Sequence, residues 1–186
     1  MSTRSYILME QDDGSYKGVY CHWDGYIEHN GGLLLDYYNT REMAEKLIEL
    51  GDLSSLQPKL YPDPAKPHKF WDGLEPRQEQ ELVTLAYGRD RGEKGTEAKT
   101  FNLKGLDTDS WGEYFYVFTK DNQWKYFTFG HLSEGLRDLA ADLAEKNKGS
   151  ELEAAGVFSE YKLDEIRQAR PQEPAAEPQQ KTEMEM

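Results

Sequence analysis

Apolar and polar positions alternate in two short runs near the N-terminus. Residues 6–10 (YILME) and 16–22 (YKGVYCH) flank the polar stretch QDDGS, whose Asp-Gly pair suits a tight turn, so they predict a β-hairpin. Residues 114–119 (YFYVFT) and 123–129 (QWKYFTF) repeat the arrangement around KDN and predict a second hairpin. Elsewhere the period changes to that of a helix. Met43, Ala44, Leu47 and Ile48 recur at helical spacing behind Asn39 and Glu42, a capping box, and Gly51 ends the helix. Residues 32–38 (GLLLDYY) predict a helix packed against it, and residues 81–87 predict a strand. Ser133 is expected to cap a helix whose apolar face is Leu136, Leu139, Ala140 and Leu143. A further helical piece is expected from Ser150, with Glu153 completing its capping box. This order of elements predicts an α+β fold: a single mostly antiparallel sheet with helices packed on one face. No internal repeat or heptad pattern interrupts it.

The eight prolines set the domain organisation. Pro58, Pro62, Pro64, Pro67 and Pro76 share residues 58–80 with Leu60, Tyr61, Phe70, Trp71 and Leu74. Those apolar anchors predict a long ordered loop within a compact domain spanning residues 1–163. Pro171, Pro174 and Pro178 lie in residues 167–186, a segment with no aromatic residue and almost nothing to bury, which is expected to be disordered.

Charge narrows the partners. The 22 basic residues face 35 acidic ones, a net charge of −13 with a pI near 4.8. Such a surface repels nucleic-acid phosphates and anionic membranes, disfavouring duplex binding and suiting a protein partner with a basic surface. The N-terminus lacks a signal-peptide apolar core, and no run approaches 18 apolar residues. Cys21 is the only cysteine, so no internal disulfide can form. Together these predict a cytosolic protein with no membrane span and no cofactor. Oligomeric state is left open.

Two loops carry the candidate chemistry. The first, YCHWDGYIEHNGG, holds Cys21, His22, Trp23, Asp24, Tyr26 and His29. Cys21 could act as a nucleophile with His29, His68 or His131 as its base. His22 cannot serve directly, because neighbours on a strand point to opposite faces. His22, Asp24 and His29 could ligate a metal, but their spacing matches no established signature. A third reading is a strand-to-helix turn built on Asp24-Gly25, with Gly accepting the positive φ and Asn30 or a glycine amide capping the helix. A fourth is a binding surface anchored by Trp23, Tyr26 and the histidines. The second loop, residues 87–99 (YGRDRGEKGTEAK), brings Arg89, Asp90 and Arg91 among three glycines. It could cradle a phosphate, although no nucleotide-binding glycine motif is present. If the strand ending at Tyr87 ran parallel to the strand ending at His22, both loops would emerge at one sheet edge, with Asp24 beside Arg89 or Arg91.

The MSTRS opening, YCHWDGY, the YNTRE helix, LGDLSSL and YGRDRGE resemble blocks of a family of small bacteriophage and prophage proteins, over roughly residues 1–129. The YIE at residues 26–28 departs from a proline-containing version. That resemblance implies a phage accessory protein, active in host takeover or against host defence, which binds and modulates or inhibits a host protein stoichiometrically. The competing expectation is a small nucleotide-binding or nucleotide-sequestering protein or hydrolase. It would use His22, Asp24 and His29 with Arg89 and Arg91.

Overall fold

The computed structural model describes residues 2–65 and 82–148. The expected helical piece from Ser150, the disordered tail and the greater part of the Pro-rich loop lie outside them.

The first hairpin forms as its pattern predicts. β1 (Ser5–Glu10) pairs antiparallel with β2 (Tyr16–Cys21), with Ile7 opposite Val19. The second pairs β6 (Tyr114–Phe118) with β7 (Trp124–Thr128), and Asn122 adopts the positive φ that its turn requires. The hairpins join through a parallel contact between β1 and β6. Outward from β2 come β3 (Leu53–Ser55), parallel to it, and β4 (Leu85–Ala86), antiparallel to β3. Two further short strands, β5 (Lys99–Phe101) and β8 (Arg137–Asp138), pair antiparallel with β2 and β7. The sheet order is β4-β3-β2-β1-β6-β7-β8, with β5 beside β2. This is the α+β fold expected, a single mostly antiparallel sheet.

Alternation sorts the strand residues onto two faces. Ile7, Met9, Val19, Cys21, Tyr116, Phe118 and Trp124 are buried on one face. There they pack beneath α1 (Gly32–Tyr37), α2 (Arg41–Glu49) and α5 (Leu139–Lys148), which present Leu33, Leu34, Ala44, Leu47, Ile48 and Leu139. Each such side chain contributes about 1.5–3 kcal/mol through burial. Leu8, Phe115, Val117 and Phe127 occupy the other face, covered by Leu106 of the short helix α4 (Leu103–Asp109) and by Phe101, Leu103, Leu132 and Leu136. The main helical layer therefore lies on one face, and a smaller cover shields part of the other.

Three local expectations shift by a few residues. Thr40, not Asn39, caps α2: its Oγ1 accepts the Met43 N–H at 3.2 Å. Asp138, not Ser133, caps α5 by accepting the Ala141 N–H at 2.9 Å, because residues 132–138 form a 3-10 turn and the strand β8 first. The predicted strand over 81–87 is reduced to β4. Tyr87 already opens a short helix, α3 (Tyr87–Arg91), because the Asp90 carboxylate accepts the Ala86 N–H at 2.7 Å.

Between β3 and β5 the outer edge of β2 would leave the Tyr20 N–H without a strand partner. The Asp52 carboxylate fills that gap, accepting it at 3.0 Å. Backbone bonds from Asp52 N–H to Thr96 and from Tyr87 N–H to Asp52 tie both flanking segments to the same residue.

Candidate functional site

The segment after β2 is a built turn. His22 and Trp23 continue the pairing with β3 by donating to the carbonyls of Leu53 and Ser54, each at 3.0 Å. The chain then reverses at Asp24, which itself takes the left-handed conformation at φ 56°. The sequence reading placed that φ on Gly25, but Gly25 serves another need. A Cβ there would lie 2.8 Å from both the Ser5 Cβ and the Thr3 carbonyl, so only glycine lets the turn sit against the start of β1. Its N–H donates to Thr3 at 2.8 Å, and its carbonyl accepts the buried Tyr116 hydroxyl at 2.5 Å. The helix is entered through a π-helical turn at Ile27–Gly31, with no side-chain cap. Asn30 is fully buried and works inward. Its amide donates to Ser5 Oγ (3.2 Å) and the Trp23 carbonyl (3.3 Å), and its Oδ1 bonds His29 Nδ1 (2.8 Å).

This arrangement disposes of the nucleophile reading. Cys21 is wholly buried and burial pushes its thiol up to about 12, so it carries no thiolate at neutral pH. Its sulfur meets Asn30 Nδ2 and the Trp23 carbonyl, while buried His29 bonds Asn30 and faces Asp24 at 3.9 Å. Cysteine, asparagine and histidine are neighbours here, yet among the described residues, which exclude His68, no histidine is bonded to the sulfur. His22 belongs to the opposite sheet face, where its Nδ1 meets the Tyr20 hydroxyl at 2.7 Å. His22, Asp24 and His29 are accordingly not assembled as a ligand set. No group of three or more such residues that could hold a metal occurs among the described residues. Tyr26 is half-buried and donates to Asp24 Oδ1 at 3.4 Å.

The second loop does not meet the first. Because β3 is parallel to β2, a strand antiparallel to β3 must run against β2, so β4 delivers Tyr87 away from the end where Asp24 lies. This overturns the expected parallel arrangement and the juxtaposition of Asp24 with Arg89 or Arg91. Arg89 instead holds the domain together. Its guanidinium donates to both oxygens of Asp90 (2.9 and 3.0 Å), to the Leu60 carbonyl (2.5 Å) and to the Thr84 carbonyl (2.6 Å). The fork is spent on its own chain. Arg91 pairs with Glu93 at 2.9 Å and lies 5.9 Å from the centre of the Tyr87 ring.

What gathers near Trp23 is a different set. The β1 start, the β2 end and the loops before β6 and after β7 share one end of the sheet. They are joined by bonds from Gly25 to Thr3, Glu113 to Arg4 and Phe129 to Glu113. Three large aromatic side chains are exposed there: Trp111 at 74%, Trp23 at 43% and Phe129 at 42%. Contacts link Trp23 to Trp111 across the strands. The Trp23 ring meets His22 edge-on at 4.7 Å, His22 bonds the Tyr20 hydroxyl, the Arg4 charge acts on both Tyr20 and His22, and Arg4 lies 5.7 Å from the Trp111 ring centre. Burial and the adjacent Arg4 charge hold His22 below its ordinary range, so the ring is neutral at pH 7. Of the expected site residues, His22 and Trp23 join this end directly. Asp24, Tyr26 and His29 form the turn behind it, and Arg89, Asp90 and Arg91 lie in the other loop. Arg4, Trp111 and Phe129 escaped the sequence reading, although Trp111 in the polar run DTDSWGE is a large apolar residue with no helical or strand pattern to bury it.

Comparison with family models, curated proteins and solved structures finds no match for this chain.

Proposed function

We propose that this chain is a phage accessory protein that binds a host protein one-to-one and modulates or inhibits it, using the aromatic end of its sheet. The observation that carries this reading is the exposure of Trp23, Trp111 and Phe129 at the junction of four chain segments. Folding leaves such side chains in water only at a cost, and tryptophans on a rigid scaffold are the usual anchors of protein interfaces. Trp23 and Phe129 are held by backbone bonds to Ser54 and Glu113, which limits the ordering entropy lost there on binding. The resemblance of its sequence blocks to those of phage proteins suggests the setting, and the net charge of −13 favours a partner with a basic surface.

The nucleotide reading draws less from the geometry. Its phosphate clamp needs the Arg89 fork, which is already bonded to Asp90, Leu60 and Thr84, and of its acid–base candidates His22, Asp24 and His29, the last is buried.

The test begins by capturing host proteins on the immobilised full chain and titrating the identified partner calorimetrically. A stoichiometry of one is expected, with Trp111→Ala and Trp23→Ala each weakening binding by about 1–3 kcal/mol at unchanged melting temperature. A partner held equally well by both variants, or altered catalytically at sub-stoichiometric dose, refutes the proposal.

A further inference from the structure

Arg4 is unusual on this acidic chain in how its guanidinium is used. Among the described residues no carboxylate lies within ion-pair distance of it, and the neighbouring Glu113 carboxylate accepts the Arg4 backbone N–H at 3.3 Å instead. The guanidinium rests against the Trp111 ring, and its charge acts on the Tyr20 hydroxyl. The Tyr20 hydroxyl lies 2.7 Å from His22 Nδ1, and a positive charge beside both favours the arrangement in which the phenol donates and the unprotonated ring nitrogen accepts. In that arrangement the proton of the neutral imidazole lies on Nε2. The polar groups offered beside Trp23 and Trp111 are then donors: the N–H groups of Arg4 and the Nε2–H of His22.

We propose that this end of the sheet is a carboxylate site, in which Arg4 and His22 receive an acidic side chain of the protein partner flanked by Trp23 and Trp111. The proposal rests on the reading above that the aromatic end binds a protein. Donors without a paired anion select an acceptor, and a guanidinium fork matches a carboxylate in two-point geometry. The single positive charge selects a monoanion. A phosphate dianion, or a nucleic-acid backbone, would meet one cation within the field of a chain at net charge −13. The exposed indoles supply the apolar contact that keeps water from the ion pair, which strengthens it. Long-range charge and local anchor thus select different features: an overall basic surface for encounter, and one acidic residue in an apolar setting for register.

The site can be probed without the partner. The full chain, labelled with 15N, is titrated with 3-phenylpropionate, with 3-phenylpropanamide and with phenyl phosphate at constant ionic strength, following the indole N–H signals and the Arg4 Nε–H. The carboxylate is expected to shift the Trp23, Trp111 and Arg4 signals saturably. The Trp124 indole, which is buried and donates to the Tyr38 carbonyl, should stay still. The amide should bind at least about tenfold more weakly, and Arg4→Gln should remove the difference between acid and amide. Tyr20→Phe, which breaks the bond to His22 without removing charge, should narrow it. Equal binding of acid and amide, tighter binding of phenyl phosphate, or an acid preference that survives in a folded Arg4→Gln variant overturns the proposal. Should Arg4→Gln fail to fold, Arg4→Lys takes its place: it keeps the charge without the fork, and an undiminished preference is again fatal. Any of these failures leaves the effect of Trp111→Ala on partner binding to stand or fall separately.

Discussion

Replacing Arg89 by alanine tests whether this arginine is a ligand-binding group or a structural clamp. The substitution removes four donated hydrogen bonds, two to the Asp90 carboxylate and one each to the Leu60 and Thr84 carbonyls. The Asp90 side chain, 3% exposed in the intact protein, would lose this guanidinium while keeping the Ala86 N–H as a donor. Removing one member of a buried, hydrogen-bonded ion pair costs about 3–5 kcal/mol. The Arg89 side chain is 25% exposed, so solvent screens part of the pair and the lower figure, about 3 kcal/mol, applies. In urea unfolding followed by tryptophan fluorescence, with a slope near 2 kcal/mol per molar, the midpoint should fall by about 1.5 M at unchanged slope. Arg89→Lys keeps the charge but cannot form the fork, and should fall between alanine and the parent. Adding Asp90→Asn to Arg89→Ala should recover part of the loss, because the charge that has lost this guanidinium goes with it. A midpoint within about 0.3 M of the parent for Arg89→Ala would refute the clamp and return the guanidinium to ligand binding.

Two further predictions concern buried polar groups. Burial raises Asp52 above its ordinary value despite its bond from Tyr20 and the nearby Lys99, so between pH 3.8 and that raised value the folded state binds more protons than the unfolded chain. Asp52 therefore lowers stability as pH rises through that window. Asp52→Asn should abolish this slope and match or exceed the parent at pH 7, whereas Asp52→Ala should lose about 1–3 kcal/mol by stranding the Tyr20 N–H. Urea midpoints from pH 3.5 to 7 measure both, and an asparagine variant as damaged as the alanine would refute the gap-filling role. Cys21, with its thiol at about 12, should resist a thiol-specific disulfide reagent at pH 8 in the native state and react in one equivalent after denaturation. Rapid native labelling would restore the nucleophile.

Patterns confined to a few neighbouring residues were legible in the sequence. Both hairpins, α1, α2 and the α+β class follow from hydrophobic period and turn chemistry, which act over a handful of residues and need no distant partner. The inward placement of Cys21 and the opposite facing of His22 follow from strand alternation alone. Short elements were less legible: β4, β5 and β8 hold two or three residues each, too few for a period to show, and exist because an adjacent strand edge offers free donors and acceptors.

Tertiary structure decided the site. Whether β4 runs with or against β2 depends on which edge it returns to after a long excursion, and no local residue encodes that choice. The direction it takes separates Asp24 from Arg89, turns the fork of Arg89 inward onto Leu60 and Thr84, and leaves Trp23 in the company of Arg4 and Trp111, 88 residues further along the chain. Residues so far apart in sequence meet because β1 lies at the centre of the sheet, with the end of β2 on one side and the start of β6 on the other. Sheet order is settled by how all the apolar faces are buried at once. The aromatic end is a product of that global solution, although each of its side chains could be seen in the sequence from the start.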